Sequence, residues 1–202
     1  MTRSMEKVRS IGIRLRCAPA AGFVLATILI AGWASVTGED HVGAIVVEKI
    51  EGFTVIGISA RTSNARETTP EGVIGKQWGR LFQESLLAKI PNKTDSGIIA
   101  VYTDYASDKN GEYTFVLGAK VKSETAAPAG MVSVKIPEGK YALFTSEKGP
   151  AAKVVPQIWQ RINGLPKSAP GGDRVYKADF EVYDQRALDP QNAQVDVYVG
   201  IK

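Results

Sequence analysis

The segment Asp179-Phe180-Glu181-Val182-Tyr183 alternates polar with apolar side chains, the period of a β-strand whose two faces meet different surroundings. Glu181 and Tyr183 therefore share one face, and Phe180 and Val182 the other. A carboxylate on an apolar strand is costly to bury without a partner or a task, so Glu181 is the first candidate for chemistry. The earlier strand Val101-Tyr102-Thr103-Asp104-Tyr105 is comparable, and setting Tyr102 against Glu181 places Tyr102 and Asp104 on the corresponding face. Trp78 and Trp159, each within a helical pattern, are placed to frame the same space, with Tyr113 and Phe115 contributed by a neighbouring strand. An acid among aromatic rings can bind a lipophilic cation, the rings adding cation–π attraction of roughly 0.5–2 kcal/mol each. It can instead act as a general base of raised pKa on a water, with Tyr102 or Tyr183 donating to the leaving atom. Read as plain core, Trp78 and Trp159 only pack, and on a solvated face Glu181 has no role.

Other chemistries are excluded by count. The 202 residues contain one His and one Cys, His41 and Cys17. Zinc clusters, Cys-His pairs, disulfide frameworks and redox CxxC motifs need more than this, so no metal and no cofactor are expected. Haem fails similarly, because His41 lies outside the repeats described next and Met131 is the one obvious soft ligand within them.

The elements that must position these residues follow from hydrophobic period. Residues 44–59 read as a long strand or strand pair broken at Glu51-Gly52. Thr69-Pro70-Glu71 reads as a helix start, followed by Ile74, Trp78, Leu81, Phe82 and Leu86 at helical spacing to about Lys89. Strands are expected over 98–105 and 112–121, joined by a turn containing Asn110-Gly111. The same β-α-β-β order recurs: a broken strand over 131–146, a helix over 150–163 carrying Pro156, and strands over 175–183 and 193–201. Gln77-Trp78-Gly79-Arg80 answers Ile158-Trp159-Gln160-Arg161 at an offset of roughly 80 residues. The expected fold is α+β: duplicated β-α-β-β repeats, 44–122 and 131–202, forming one antiparallel sheet. Two helices lie on one face, and a ligand cleft sits on the pseudo-two-fold axis between the repeats.

The formal net charge of +4 is concentrated at one end. Arg3, Lys7, Arg9, Arg14 and Arg16, opposed by Glu6 alone, precede a mostly apolar run over 18–36; without this segment acidic and basic residues are equal in number. No basic face remains for nucleic acid, so nucleic-acid binding is not expected. Positive charge before an apolar run reads as an export signal over 1–34, cleaved after Ala34 in Gly32-Trp33-Ala34, or as an inner-membrane anchor over 18–36. Either places the domain outside the cytoplasm, periplasmic or secreted, touching membrane only through that segment, with 35–43 as linker.

From about Val46 onward the chain resembles the GyrI-like family of effector-binding domains, also found attached to AraC-type and multidrug-sensing regulators. The residues that carry the resemblance are Val55-Ile56-Gly57-Ile58, Trp78-Gly79-Arg80-Leu81-Phe82, Val101-Tyr102-Thr103-Asp104-Tyr105, Gly139-Lys140-Tyr141, Asp179-Phe180-Glu181-Val182-Tyr183 and Val197-Tyr198-Val199-Gly200-Ile201-Lys202. The resemblance implies a cleft between repeats that binds a hydrophobic, often cationic, small molecule, with Glu181 and Tyr183 matching the family's Glu-x-Tyr segment. It also implies the alternative, since some GyrI-like proteins are hydrolases that open strained electrophilic small molecules. No helix-turn-helix segment is expected before the domain, so ligand binding is the property carried over. A monomer is expected, because duplication supplies internally what dimerisation otherwise provides.

Overall fold

The computed structural model describes residues 45–168 and 171–202. The export or anchor segment, the whole of the linker, His41 and Cys17 lie outside the described residues. The strands are β1 (Val46–Ile50), β2 (Phe53–Ser63), β3 (Ile98–Thr103), β4 (Glu112–Val121), β5 (Val132–Ile136), β6 (Gly139–Thr145), β7 (Arg174–Tyr183) and β8 (Asp196–Ile201). The helices are α1 (Asn64–Glu67), α2 (Ile74–Gln83), α3 (Leu86–Lys89) and α4 (Ala151–Gly164). All eight strands join one antiparallel sheet in the order β1-β6-β8-β7-β3-β4-β2-β5. Exchanging the repeats, β1 for β5 through β4 for β8, reverses this order onto itself, so the expected α+β fold and pseudo-two-fold are both present.

The two breaks in the long strands have a consequence that periodicity does not reveal. At Glu51-Gly52 and at Pro137-Glu138 the chain turns a corner, so β1 pairs with β6 of the second repeat while β5 pairs with β2 of the first. The first strand of each repeat is thus exchanged. The corners lie against each other: Lys49 Nζ meets Glu138 at 2.9 Å, and a Cβ on Gly52 would stand 3.1 Å from the Ile136 carbonyl oxygen. The back face of the sheet buries Val55, Ile99, Val101, Val116 and Phe180, and the Phe180 ring packs on those of Phe53, Tyr141 and Tyr198.

The front face carries the helices. Leu81 and Leu86 pack with Ile58, Phe115 and Leu117, while Ile158 and Ile162 pack with Ala142, Phe144, Val197 and Val199. The two expected long helices are joined by the single-turn helices α1 and α3. Thr69-Pro70-Glu71 does not start α2, in contrast to the sequence expectation. The Thr69 hydroxyl accepts from the Glu71 amide and Gly72 closes a turn onto the Thr69 carbonyl, while the Glu67 carboxylate accepts from the Val73 and Ile74 amides. A side chain from before the turn thus satisfies the first free helix donors, and α2 begins at Ile74. It also stops early, because Ser85 takes a left-handed φ of 49° and separates α3. Pro156 is accommodated within α4, which runs without interruption from Ala151.

Gly57 and Gly118 face each other across β2 and β4, where a Cβ on Gly118 would fall 1.9 Å from the Ile56 carbonyl oxygen. That distance is backbone against backbone, so no rotamer change relieves it. Gly118→Ala is expected to destabilise the domain by about 3 kcal/mol, read from the midpoint of urea unfolding with the denaturant slope unchanged.

Candidate ligand-binding site

β3 and β7 form the middle of the sheet, and their ladder pairs Ala100 with Glu181 and Tyr102 with Asp179. The offset that relates Trp78 to Trp159 also relates Tyr102 to Tyr183 and Ala100 to Glu181. The pseudo-two-fold axis therefore passes between Ala100 and Glu181. This corrects the equivalence read from sequence, in which Tyr102 answered Glu181. The error is two residues, an even number, so the face assigned to Tyr102 is unchanged. Asp104 does not join the site: β3 ends at Thr103, Asp104 takes φ 50° and is exposed, and its carbonyl accepts from Arg61.

Glu181 is 1% exposed. Its Oε1 accepts from the Tyr102 hydroxyl at 2.6 Å and from Trp159 Nε1 at 2.5 Å, and its Oε2 accepts from the Tyr183 hydroxyl at 2.7 Å. All three donors are neutral, and among the described residues no ammonium or guanidinium forms an ion pair with this carboxylate. Burial pushes the Glu181 pKa up, and the three hydrogen bonds from Tyr102, Trp159 and Tyr183 pull it partly back. Burial, with the neighbouring carboxylate, also holds Tyr102 and Tyr183 well above the usual phenol range, so both remain donors.

Two residues earlier on the same face, Asp179 is buried in the opposite electrical setting. Its Oδ2 takes Arg174 Nη2 at 2.7 Å and the Tyr105 hydroxyl at 2.7 Å, and its Oδ1 takes the Gly200 amide at 2.9 Å. Sequence reasoning placed neither Arg174 nor Tyr105 at the site. Asp179 was visible in the strand alternation, but the cation that neutralises it enters from the far side of a bulge between Arg174 and Asp179, which local spacing does not encode.

Between α2 and α4 the front face opens into two chambers. The first, about 430 Å³, is bordered by Tyr102, Tyr105, Tyr113, Trp159 and Arg174, with amide side chains at its rim. The second, about 510 Å³, is bordered by Trp78, Phe82, Ile98, Tyr183 and Leu188. Ile74, Gly75, Val155 and Pro156 border both. Of the aromatic residues read from sequence, Tyr102 and Trp159 hold Glu181 from the first chamber and Tyr183 from the second. Trp78 does not reach the carboxylate; its ring meets Tyr183 edge-on at 4.7 Å and stacks on Phe82 at 6.0 Å. Tyr113 donates to Asn64 at the first chamber's wall, whereas Phe115 is fully buried under the Tyr102 ring. Among the described residues no group of three metal-ligating side chains is present.

A duplicated sheet beneath two helices, opening between them into aromatic chambers, defines a small-molecule effector-binding domain. The chain belongs to the Cass2 family of integron-associated effector binding proteins, whose model matches residues 46–201. It is 38% identical over 147 residues to YobU of Bacillus subtilis, named as a transcriptional regulator protein, covering 72% of this chain and 90% of that one. It is 34% identical over 161 residues to the transcriptional regulator BrlR of Pseudomonas aeruginosa, covering 78% of this chain but 55% of that one, so it spans about half of BrlR. The integron cassette protein of Vibrio cholerae superposes with a TM-score of 0.59 at 27% identity, covering 78% of this chain and 95% of that one. SAV2435, whose structure is bound to tetraphenylphosphonium, superposes at 0.64 and 19% identity over 78% of this chain and 93% of that one, a likeness of fold.

The two carboxylates predict opposite responses to neutralisation. Asp179→Asn leaves Arg174 buried without its counter-charge and is expected to cost about 3–5 kcal/mol. For Glu181 the folded pKa lies above the unfolded one, so its stabilising contribution is full when protonated at low pH and is lost as pH rises through the folded value. Glu181→Gln is therefore expected to match or exceed the wild type in stability at pH 7.5 and to flatten that decline, measured by denaturant titration across pH 4–8.

Proposed function

We propose that the domain binds a lipophilic cation over Glu181. The observation that carries this reading is a fully buried carboxylate held by three neutral donors and no cation, two residues from one that has its own arginine. Such a charge has lost its water without gaining a counter-ion, so a ligand cation reaching it would gain attraction in a medium of low dielectric. Tyr102, Trp159 and Tyr183 turn their donors to the carboxylate and border the chambers with their rings, and aromatic linings favour a delocalised or quaternary cation over a small hydrated one. Membership of an effector-binding family supports a small-molecule ligand, and the tetraphenylphosphonium bound by SAV2435 supports the cationic, aromatic chemistry. Binding without turnover fits a carboxylate whose oxygens are already occupied by donors, so the ligand is released unchanged.

We place the domain outside the cytoplasm, on the strength of the basic-then-apolar order over residues 3–36. Cell fractionation with N-terminal sequencing checks this: an extracytoplasmic chain, beginning near Ser35 or retaining the apolar segment, is expected, and a cytoplasmic chain refutes it.

Tetraphenylphosphonium titrated calorimetrically into the chain from residue 44 onward is expected to bind, and Glu181→Gln to weaken it at least tenfold. Affinity should fall on acidification with a midpoint above the usual carboxylate value of 4.5, because the protonated acid no longer attracts the cation. Wild-type and mutant affinities that agree at every pH refute the role of Glu181. Mass spectrometry after incubation should return the ligand intact, whereas conversion by wild type alone would favour hydrolysis.

A further inference from the structure

We infer that the second chamber is a binding site in its own right, for a neutral lipophilic aromatic molecule held at the same time as a ligand in the first. The two chambers are images of each other in the duplication: Tyr102 and Trp159 border one, Tyr183 and Trp78 the other, and the shared wall pairs Ile74 with Val155 and Gly75 with Pro156. One fold operation therefore made two cavities, each large enough for a drug-sized molecule. What differs is chemistry. The first chamber has lost symmetry toward polarity, with Arg174 and Asn163 on its border, and Asn163 stands where the duplication places Phe82 in the second.

The second chamber is lined mostly by apolar side chains, with Ser96, Asp184 and Gln185 among its polar ones. Its indole does not donate to Glu181, and its one charged lining residue, the part-exposed Asp184, shares Arg186 with Asp196, at 2.8 and 2.5 Å. A ligand there meets no buried charge awaiting a counter-ion, since Asp184 is part-exposed and paired at the rim, so a cation would lose hydration with little compensation and a neutral ring system would not. At the mouth Phe82 and Leu188 are 60% and 83% exposed, large apolar surface that a soluble domain leaves in water only at a cost and that an aromatic ligand would cover. Glu67, which borders the first chamber, and Glu181 play no part in this recognition. The chambers nevertheless communicate, since Tyr183 borders the second and donates to Glu181, which Tyr102 and Trp159 hold from the first. Any effect that occupancy of one has on the affinity of the other must then be reciprocal, by one common factor.

The test uses N-phenyl-1-naphthylamine, a neutral probe that brightens on leaving water, titrated into the chain from residue 44 onward with and without tetraphenylphosphonium. Saturable binding is expected, weakened at least tenfold in the double variant Phe82→Ser, Leu188→Ser and blocked by Ala152→Trp, which fills the chamber from an exposed helix position. Both changes sit at the surface, and circular dichroism checks that each variant is folded. Rising tetraphenylphosphonium should shift the probe's affinity by a bounded factor that then stays constant. A shift that grows without limit until the probe is expelled means one shared site and overturns the inference while leaving the cation site intact. No probe binding, or binding indifferent to both variants, also overturns it. Probe binding that needs Phe82 and Leu188 but ignores tetraphenylphosphonium altogether supports the second chamber, and calorimetry on the same sample then separates an empty cation site from two occupied, uncoupled ones.

Discussion

A charged group placed beside a two-fold axis poses a problem that symmetry cannot solve, because its mate would be a second like charge a few ångströms away. In this domain the mate of Glu181 is Ala100, directly across the β3–β7 ladder. Two carboxylates there could not both ionise in so dry a place. With one of them reduced to a methyl group, the remaining carboxylate can accept from both tyrosines related by the duplication, one on each oxygen. The central pair of strands, the two aromatic rings and the opening between the helices are all disposed about that single asymmetric charge.

The neighbouring Asp179 shows what the same strand does with a buried carboxylate that has its own cation. Arg174, Tyr105 and the Gly200 amide consume its acceptors, and the guanidinium lies over the rings of Trp159 and Tyr176. This ion pair fixes the strand bulge, the end of β8 and one flank of Trp159, the residue that in turn donates to Glu181. The architectural carboxylate thus holds rigid the donor on which the other depends, a division of labour between two acids of one strand face.

Much of this was legible in the chain because strand parity is robust. Tyr102, Glu181 and Tyr183 were assigned to the front face despite a two-residue error in matching the repeats, since a slip by two leaves the face unchanged. The duplicated Trp positions likewise located both helices over the sheet. What escaped was non-local. Nothing in residues 46–52 says that β1 will pair with β6 rather than with its own repeat, and Arg174 finds Asp179 only through a bulge in β7. The start of α2 was misplaced because Thr69-Pro70 satisfies a turn as well as it satisfies a helix cap, and Glu67 settled the competition from outside the window. The division of one expected cleft into two chambers depends on how closely Ile74 and Gly75 approach Val155 and Pro156, a packing distance that a periodic pattern does not carry.

The exchanged first strands reach past the site to the history and the folding of the chain. A β-α-β-β unit cut at the linker between β4 and β5 would keep an unfilled edge where the other unit's first strand belongs, so each half is complete only as one member of a pair. Two separate copies trading these strands would make a closed, isologous dimer of the same design, and joining them end to end would convert mutual dependence into one polypeptide. Dependence of that kind makes nucleation slow, because β1 must wait for β6 to be synthesised before it has a ladder to join. Once joined, neither half can drift from its twin, and the two copies of the front face became free to diverge, one toward charge and one toward oil.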